Sequence, residues 1–386
     1  MGYSRRDFLS QLSFGLGSMV ALPGLTLLHN AETYGTKSLL SELPEDEKLG
    51  VALVGLGRYA SGQLAPALQE TSLCKLAGIV TGTPRKEEEW AQKYDIPDSN
   101  IYNYETYDQI ADNDDIDIIY VVLPNSMHAE YTIRAAEAGK HVISEKPMAT
   151  SVNDCQRMID ACEEAGRKLS IGYRLHFEPH HQEMMRLGRN EIMGPLRQMT
   201  GAHSFPLKDP DAWRLDKELA GGGPLMDVGI YVVQAALYTM GQLPTSVTAW
   251  DKTRDTGSFP EVEGTIRWDL NFSDEVVLQA ESSYEDSDNH FRMESADGWG
   301  ELNPAYSYGG IEGKTVEGPM DFPEVNQQAL QMDDFARCIM EDKQTIVPGE
   351  MGKRDMIILE AIYESAETGE EVPLDFDDGF IRPFEG

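Results

Sequence analysis

Apolar residues in the first half of the chain occur in short continuous runs, separated by segments with a helical repeat. Continuous apolar runs are typical of strands that are buried on both faces of a parallel sheet. Segments with apolar residues every three or four positions are typical of helices that bury one face. Strands are expected at residues 49–54, 75–80, 117–123, 141–144 and 169–172, and helices at residues 85–94, at residues 127–138 and after Ser151. The alternation predicts an α/β domain with a doubly wound parallel sheet.

From about residue 197 the pattern changes to longer stretches in which apolar and polar residues alternate. This period of two predicts antiparallel strands at residues 197–205, 246–252, 265–272, 275–282 and 290–295. Helical segments follow near residues 327–341 and 353–368. The second half is therefore expected to form an α+β domain with a large, mostly antiparallel open sheet. An open sheet face of this size favours a homodimer or homotetramer that forms through the sheet.

The first thirty residues differ from the rest of the chain. Arg5 and Arg6 precede an apolar stretch rich in Gly and Ser, which is the pattern of a twin-arginine export signal. This stretch is too short and too interrupted to span a membrane, so no membrane anchor is expected in the mature protein. The alternative is a short amphipathic or buried helix that begins with two arginines. The pattern predicts export, with a periplasmic location, and favours a protein whose cofactor is inserted before export.

The 386 residues include 66 acidic and 32 basic side chains, which gives a formal net charge of −34. A surface this negative repels phosphate backbones, so nucleic acid is excluded as a partner. The acidic excess indicates a salt-adapted surface, and the alternative is an ordinary acidic protein. The four cysteines, Cys74, Cys155, Cys162 and Cys338, form no C-x-x-C pair and are expected to be buried free thiols.

A glycine-rich turn, GLGRYA at residues 55–60, follows the first expected strand. In such a G-x-G-x-x-A turn the first glycine permits the tight bend, and the second lets the backbone approach a pyrophosphate. The small third residue allows close packing of the next helix, whose N–H groups face the phosphates. Taken alone the motif is a weak signal, and the alternative is a plain tight turn. Among alternating strands and helices it predicts a Rossmann-type dinucleotide site at Gly55, Gly57, Arg58, Tyr59 and Ala60.

The end of the second expected strand indicates which dinucleotide binds. In NAD sites a carboxylate at this place contacts the ribose 2′-hydroxyl, but here the sequence is TGTPRK at residues 81–86. Thr81 can donate a hydrogen bond to a 2′-phosphate, and Arg85 or Lys86 can neutralise its charge. NADP is therefore the predicted cofactor. The alternative is a solvated Arg-Lys pair that contacts no ligand.

Two segments carry the candidate chemistry. Lys146 follows the expected strand 141–144, at the carboxyl edge of the sheet where ligands bind in such folds. Asp227 and Tyr231 follow a glycine-rich turn and share one face if the segment is helical. A neighbouring lysine brings the pKa of a tyrosine, ordinarily ~10, closer to working pH, which makes Tyr231 and Lys146 a proton relay. The alternative is a core tyrosine capped by an aspartate.

Together these segments resemble the Gfo/Idh/MocA oxidoreductase family, and within it the glucose-fructose oxidoreductase branch. The resemblance extends from about Val51 to the C-terminus. It rests on LPNSMHAE (residues 123–130), GKHV (139–142), EKPMATS (145–151), IGYR (171–174), WRL (213–215) and ELAGGG (218–223). The family usually has a histidine four residues after the aspartate, and Tyr231 resembles the tyrosine variant of that branch.

The resemblance implies roles for further residues. It implies that Thr81 and Lys86 hold the 2′-phosphate and that Tyr104 lies near the adenine. The residues implied to border the dinucleotide or its nicotinamide are Leu123, Pro124, Asn125, His128, Glu145, Lys146, Arg174, Trp213 and Arg214. Lys146, Asp227 and Tyr231 are implied to bind the substrate and to catalyse its reaction. Relatives use a long proline-rich arm to cover a partner's cofactor, whereas the arm here is short, which puts that role in doubt.

The segment HFEPHH at residues 176–181 places three imidazoles and a carboxylate close together. Its proline interrupts regular geometry, and the spacing matches no zinc pattern, so no metal site is expected. The alternative is a substrate-side segment at a helix start, in which His176 contacts sugar hydroxyls.

These expectations divide the chain into four parts: an export signal at residues 1–30, a linker or arm at 31–48, a dinucleotide-binding domain at 49–172, and a substrate and oligomerisation domain at 173–386. The last helices can pack back on the first domain. The expected activity is that of an NADP-dependent sugar oxidoreductase.

An aldose such as glucose would be oxidised at C1 to the lactone, and a second sugar would be reduced, such as fructose to sorbitol, with tightly bound NADP(H). One alternative is an NAD(P)-dependent glucose or xylose dehydrogenase with a dissociable cofactor. The other is a sugar or nucleotide sensor without turnover.

Overall fold

The first half of the chain forms a six-stranded parallel sheet in the computed structural model, which describes residues 43–376. Its strands are β1 (Leu49–Val54), β2 (Cys74–Val80), β3 (Ile101–Tyr102), β4 (Ile118–Val121), β5 (His141–Ser144) and β6 (Leu169–Ile171). Their order, β3-β2-β1-β4-β5-β6, is that of a doubly wound dinucleotide-binding fold. The predicted Rossmann-type domain is therefore confirmed. The expected export signal and residues 31–42 of the expected arm lie outside the described residues.

Helices connect these strands and cover both faces of the sheet. They are α1 (Ala65–Leu68), which continues a π-helical turn at Ala60–Leu64, α2 (Pro84–Tyr94), α3 (His128–Glu137) and α4 (Val152–Glu164). Ser151 caps α4, because its Oγ accepts a hydrogen bond from the Asp154 amide at 3.1 Å. Gly139 and Gly166, with φ of 76° and 62°, follow α3 and α4 in the left-handed conformation expected of helix C-terminal glycines.

The second half contains a nine-stranded mixed sheet. Its strands are β7 (Leu196–Ser204), β8 (Ser246–Asp251), β9 (Thr265–Asn271), β10 (Val277–Ser283), β11 (Asp288–Ser295), β12 (Trp299–Leu302), β13 (Gly313–Thr315), β14 (Gly318–Met320) and β15 (Val372–Pro373). They lie in the order β14-β13-β12-β11-β7-β10-β9-β8-β15, and β7 and β10 run parallel while the other neighbours run antiparallel. The predicted α+β domain with a mostly antiparallel open sheet is therefore confirmed.

Two details of the second sheet differ from the sequence expectation. The strand expected at residues 275–282 begins at Val277, because Ser273–Glu275 forms a 3-10 turn in which Glu275 has a φ of 61°. Strands β12 to β15 were not expected, since their short segments lack a long alternating pattern.

Between residues 173 and 376 the second half has five α-helices: α5 (Pro179–Arg189), α6 (Lys217–Ala220), α7 (Ile230–Met240), α8 (Gln327–Met340) and α9 (Gly349–Thr368). Every residue of α7 is buried beneath the sheet. Helix α8 returns to the first domain, where Met332 and Phe335 join the hydrophobic core that contains Val51 and Leu53 of β1. The C-terminal helices therefore belong to both domains.

The face of the second sheet that the helices leave open is polar. Arg292 and Lys314 both pair with Glu301, at 3.0 and 2.9 Å, and Arg267 pairs with Glu281 on the neighbouring strands. Trp250 is the most exposed tryptophan among residues 43–376 and is 38% exposed. Self-association through this face would therefore bury little apolar surface. Subunits that assemble there would be held by polar contacts.

All four cysteines are buried and free, as expected. Within the described part of the chain, no helix is long and apolar enough to cross a membrane.

Candidate active site

The glycine-rich turn leaves β1 at the carboxyl edge of the parallel sheet. Gly55 has a φ of 95°, and a Cβ there would lie 2.4 Å from the Val122 carbonyl oxygen, so only glycine fits. A Cβ on Gly57 would meet nothing within 4 Å, which leaves the backbone open to an approaching pyrophosphate. Ala60 is fully buried at the start of the next helix. The turn therefore fits a dinucleotide.

The side chains predicted to hold a 2′-phosphate lie beside this turn. Thr81 directly follows β2, and its Oγ1 accepts a hydrogen bond from the Thr83 amide at 3.2 Å. Nζ of Lys86 donates to the Leu56 carbonyl oxygen at 2.8 Å, which places the ammonium on the glycine turn. Arg85 instead pairs with Glu89 on the exposed side of α2. Of the two cations weighed from the sequence, the structure favours Lys86.

The aromatic and charged residues of the predicted cofactor site do not all lie on the same side of the glycine turn. The ring of Tyr104 lies against Gly82, where an added Cβ would be 3.1 Å from it. Arg58 is exposed, with its guanidinium 3.7 Å from the Asp209 carboxylate. Tyr59 turns the other way, and its ring centre lies 5.6 Å from that of Tyr308. Tyr59 therefore faces the catalytic side of the turn.

His128 connects two loops at the carboxyl edge of the sheet. Its Nδ1 lies 2.8 Å from the Pro147 carbonyl oxygen, and its Nε2 lies 2.9 Å from that of Leu123. Burial lowers the pKa of His128. Asn125, next to Pro124 in the same loop, donates to the Ala220 carbonyl oxygen at 2.8 Å. These two predicted cofactor-site side chains hold the surrounding loops in place, and their contact with a dinucleotide stays a prediction.

The Glu145-Lys146-Pro147 segment bends away from the end of β5, with a cis peptide bond before Pro147. Glu145 accepts hydrogen bonds from the Tyr120 hydroxyl at 2.8 Å and from the Lys146 amide at 3.2 Å. Burial raises the pKa of Glu145. Nζ of Lys146 donates to the Asp227 main-chain oxygen at 2.5 Å and lies 3.8 Å from the Asp227 carboxylate. The structure therefore brings Lys146 and Asp227 together as predicted.

Asp227 is held by two further side chains. The Arg214 guanidinium donates to its Oδ2 at 2.7 Å, and the Tyr284 hydroxyl donates to the same oxygen at 3.1 Å. Burial by itself would raise the pKa of Asp227, but the charges of Arg214 and Lys146 bring it below its ordinary value. Trp213 packs its ring against the guanidinium of Arg214. Asp227 is therefore a charged carboxylate inside the site.

Tyr231 completes the catalytic cluster. Its ring centre lies 4.7 Å from Nζ of Lys146 and 4.9 Å from Cζ of Arg174, and its side chain is buried. The sequence expectation that Lys146 brings its pKa toward neutrality is wrong for this arrangement, because burial raises the pKa of Tyr231. Arg174 has the largest opposing effect.

The segment that carries Asp227 and Tyr231 is not a regular α-helix. Residues Leu225–Gly229 form a π-helical turn, and α7 begins at Ile230. The turn passes under Glu263, whose buried carboxylate accepts hydrogen bonds from the Gly223 and Leu225 amides at 2.9 and 3.1 Å. The prediction of a shared face assumed a regular helix, and the π turn has no recognisable signal in the sequence. Both side chains nevertheless lie near Lys146.

The sequence did not identify four residues of the site, which are His203, Tyr284, Tyr306 and Tyr308. His203 of β7 lies 5.5 Å from the Tyr231 ring and 4.9 Å from the Tyr306 ring, and burial lowers its pKa to about 3. Tyr308 lies under the Arg174 guanidinium, and Tyr284 binds Asp227. These residues come from strands and loops far apart in the sequence, so only the folded chain brings them together.

His176 lies further from the cluster. Its ring packs 5.0 Å from that of Tyr238, which is two turns along α7 from Tyr231. In the neighbouring segment, Glu178 caps α5 through the His181 amide at 2.9 Å and lies 2.7 Å from Nδ1 of His180. Within residues 43–376, no group of three or more His, Cys, Asp or Glu side chains could hold a metal ion. Contact of His176 with a sugar stays a prediction.

A doubly wound domain with an open glycine turn, joined to an open-sheet domain that supplies a tyrosine and a carboxylate beside a lysine, defines a dinucleotide-dependent oxidoreductase. Family models for the NAD-binding Rossmann domain of the oxidoreductase family and for the GFO/IDH/MocA C-terminal domain match residues 49–173 and 181–296. The chain belongs to the Gfo/Idh/MocA oxidoreductase family.

Individual relatives cover nearly the whole described chain. D-xylose 1-dehydrogenase (NADP+) from Haloarcula marismortui is 29% identical and is matched over 86% of this chain and 94% of its own. D-xylose 1-dehydrogenase (NADP+) 2 from Haloferax volcanii is 30% identical, over 85% and 98%. The crystal structure of aldose-aldose oxidoreductase from Caulobacter crescentus, complexed with glycerol, is 43% identical, with a TM-score of 0.83, over 85% of this chain and 100% of that chain.

Proposed function

We propose that the protein is an NADP-dependent sugar oxidoreductase that oxidises an aldose at C1 to the lactone. The observation that carries the proposal is the contact of Lys146, Asp227 and Tyr231 beside the glycine turn, at the carboxyl edge of the parallel sheet. The names of the two haloarchaeal relatives support both the aldose substrate and NADP.

The residues at the first sheet fit NADP. When bound, NADP supplies a hydride acceptor, and NADPH a hydride donor. The open backbone at Gly57 suits the pyrophosphate, and Thr81 stands where NAD-binding domains carry a carboxylate. Lys86 supplies a positive charge beside the turn. This combination favours a 2′-phosphate over a free 2′-hydroxyl.

Tyr231, Lys146 and Asp227 have different roles in the proton transfer. In oxidation, deprotonated Tyr231 accepts the proton of the C1 hydroxyl while the C1 hydrogen leaves as hydride, so the carbon–oxygen double bond of the lactone forms. Lys146 donates a hydrogen bond to the same sugar oxygen. Burial lowers the pKa of Lys146, and the Asp227 carboxylate opposes that effect and so favours the charged ammonium. In reduction Tyr231 returns the proton to a carbonyl oxygen.

A second sugar is reduced in the same site in this proposal, and the cofactor stays bound between the two half-reactions. Glucose and fructose are the expected pair, and they would give the lactone and sorbitol. The name of the 43% identical neighbour, an aldose-aldose oxidoreductase, supports a second aldose as an alternative acceptor. One Tyr231 proton taken up in oxidation is given back in reduction, so the coupled reaction needs no outside acid.

The experiment uses the purified, extensively dialysed protein with no added cofactor. Reduced-nicotinamide absorbance that rises with glucose or xylose, and falls when fructose or a second aldose is added, supports the coupled reaction. A protein that arrives without cofactor and turns over steadily with added NADP is an aldose dehydrogenase, which the xylose dehydrogenase relatives favour. Absence of any sugar-dependent reduction with added NADP contradicts both.

Export by the twin-arginine route and assembly through the second sheet are also proposed. A variant with Arg5→Lys and Arg6→Lys is expected to stay in the cytoplasm while the unaltered chain reaches the periplasm, which cell fractionation measures. Sedimentation of the purified protein, compared with an Arg292→Glu variant on the open sheet face, tests whether this face holds subunits together.

A further inference from the structure

Tyr231 lies between two cations that differ in their other partners. The Lys146 ammonium binds the main-chain oxygen of Asp227 and pairs with its carboxylate, so much of its charge is balanced. The Arg174 guanidinium lies at nearly the same distance from the Tyr231 ring, 4.9 Å. The two cations therefore do not act equally on Tyr231.

The acceptors that bind Arg174 are uncharged. Its Nη2 donates to the Tyr306 carbonyl oxygen at 2.6 Å, and its Nη1 donates to that of Ser307 at 3.0 Å and to the side-chain oxygen of Gln327. Arg174 is 2% exposed, so the group is fixed by these contacts and shielded from water. The rings of Tyr231 and Tyr308 lie next to its charge.

One donor of the guanidinium has no acceptor in the described part of the chain. Nε of Arg174 is buried and forms no hydrogen bond with any residue of 43–376. A buried N–H without an acceptor costs free energy. Nη1 and Nη2 hold the side chain in place, which leaves Nε available for an acceptor that forms during the reaction.

We propose that Arg174 stabilises the deprotonated form of Tyr231, with its guanidinium charge and its Nε donor acting on the phenolate oxygen. The inference rests on the proposed function and deepens it, because it assigns Arg174 to the acid–base step in addition to any contact with the dinucleotide. Arg174 neither gains nor loses a proton, since a guanidinium stays protonated at any working pH. It acts through Tyr231 and is a positioning residue.

Other groups around Tyr231 do not replace it. The groups that face Tyr231 from the surrounding elements are Glu145, Lys146, His203 and Asp227, with the phenols Tyr59, Tyr306 and Tyr308. Glu145 and Asp227 oppose ionisation of the phenol. His203 is neutral near pH 7, because burial lowers its pKa to about 3. Arg174 is therefore the cation whose effect on Tyr231 is least balanced by another charge.

The test is the pH dependence of sugar oxidation in Arg174→Gln, with added NADP at saturation. We expect kcat at pH 7 to fall at least 10-fold and the acidic limb of the profile to move up by at least one pH unit, so that the loss shrinks at high pH. Arg174→Lys should shift the limb in the same direction by less. In a Tyr231→Phe background, Arg174→Gln should leave the remaining profile unchanged. Arg157→Gln on the exposed face of α4 removes the same charge and is the control.

A second readout needs no turnover. Ultraviolet titration of phenolate absorbance, with the Tyr231→Phe protein subtracted, follows the ionisation of Tyr231 alone. The inference predicts a higher pKa for Tyr231 in Arg174→Gln and in Arg174→Lys than in the unaltered protein. An unchanged pKa, or an unchanged pH profile with only a raised KM for NADP, overturns it and leaves Arg174 as a dinucleotide contact. If sugar oxidation itself fails, the titration still decides.

Discussion

Charge is unevenly distributed among the three side chains at the centre of the site. Asp227 contacts two cations and stays ionised, while Glu145, only one residue from Lys146, is held by a phenol and a main-chain amide. Burial lowers the pKa of Lys146 and raises that of Glu145, so both neighbours in the sequence are pushed toward their neutral forms. The difference between two nearby carboxyl groups follows from their partners.

Replacing Tyr231 with Phe removes the hydroxyl that accepts and returns the proton. We expect kcat for sugar oxidation to fall by about 10²- to 10⁴-fold, the usual contribution of a positioned acid–base group. Binding of NADP, followed by fluorescence quenching, and thermal unfolding should change little, because Phe keeps the ring that packs against Lys146 and Arg174. Unchanged turnover would remove Tyr231 from the mechanism.

Replacing Asp227 with Asn keeps the shape of the side chain but removes the negative charge beside Lys146. Asp227 is the largest influence that raises the pKa of Lys146 against burial, so this pKa falls further in the variant. The basic limb of the rate profile should therefore move to lower pH by about one unit, because the lost charge lies 3.8 Å from Nζ of Lys146. A basic limb that stays in place would show that Lys146 is not the group that titrates there.

The catalytic residues could be predicted from the sequence because Lys146 directly follows an expected strand, and Asp227 and Tyr231 follow a glycine-rich turn. Lys146, Asp227 and Tyr231 were identified in this way, and the structure brings them together. The Arg174 guanidinium and the His203 ring could not be assigned to Tyr231, since their contacts depend on how β7 and the segment after β6 meet in the folded chain.

At the scale of elements, the segment before α7 is the most constrained. Gly221 has a φ of 78°, and Cβ atoms on Gly222 and Gly223 would lie 2.0 Å from the Tyr363 hydroxyl and 2.2 Å from the Glu263 carbonyl oxygen. The π-helical turn that follows carries Asp227. The position of the catalytic carboxylate therefore depends on three consecutive glycines.

A Gly223→Ala variant tests this dependence. The added methyl group forces the turn away from Glu263, so we expect a loss of about 1–3 kcal/mol in the free energy of unfolding. Gly62→Ala is the matched control, because a Cβ there meets nothing within 4 Å on an exposed helical turn, and it should stabilise by about 0.5–1 kcal/mol. Equal effects of the two substitutions in denaturant titrations would contradict the packing argument.

Most elements of the first sheet followed from continuous apolar runs, and the long strands of the second followed from alternation. The short β12 to β14 have too few residues to show a period, and the two π turns differ from α-helix by one residue per turn. Their positions are set by the packing of neighbours such as Gly300, which lies against Met184 of α5. Such contacts between residues far apart in the chain cannot be predicted from the local sequence.

The whole molecule combines a strong negative charge with ion pairs on its open sheet face. Repulsion among 34 excess charges opposes the compact state, and salt weakens it. We expect the melting temperature to rise between about 0.1 M and about 1 M KCl, where the Debye length falls from about 10 Å to about 3 Å. A melting temperature that falls over this range would show that the surface ion pairs outweigh the net repulsion.

Helix α8 also determines the order in which the protein can be completed during synthesis. Met332 and Phe335 fill the core beneath β1, and the Asp333 carboxylate accepts hydrogen bonds from the Ser72 and Leu73 amides at 2.9 and 2.8 Å. A chain released only as far as residue 172 therefore lacks the side chains that complete one apolar face of its first sheet. The dinucleotide-binding domain is encoded first, but its core is complete only after residues 332–335 have been made, long after residue 172.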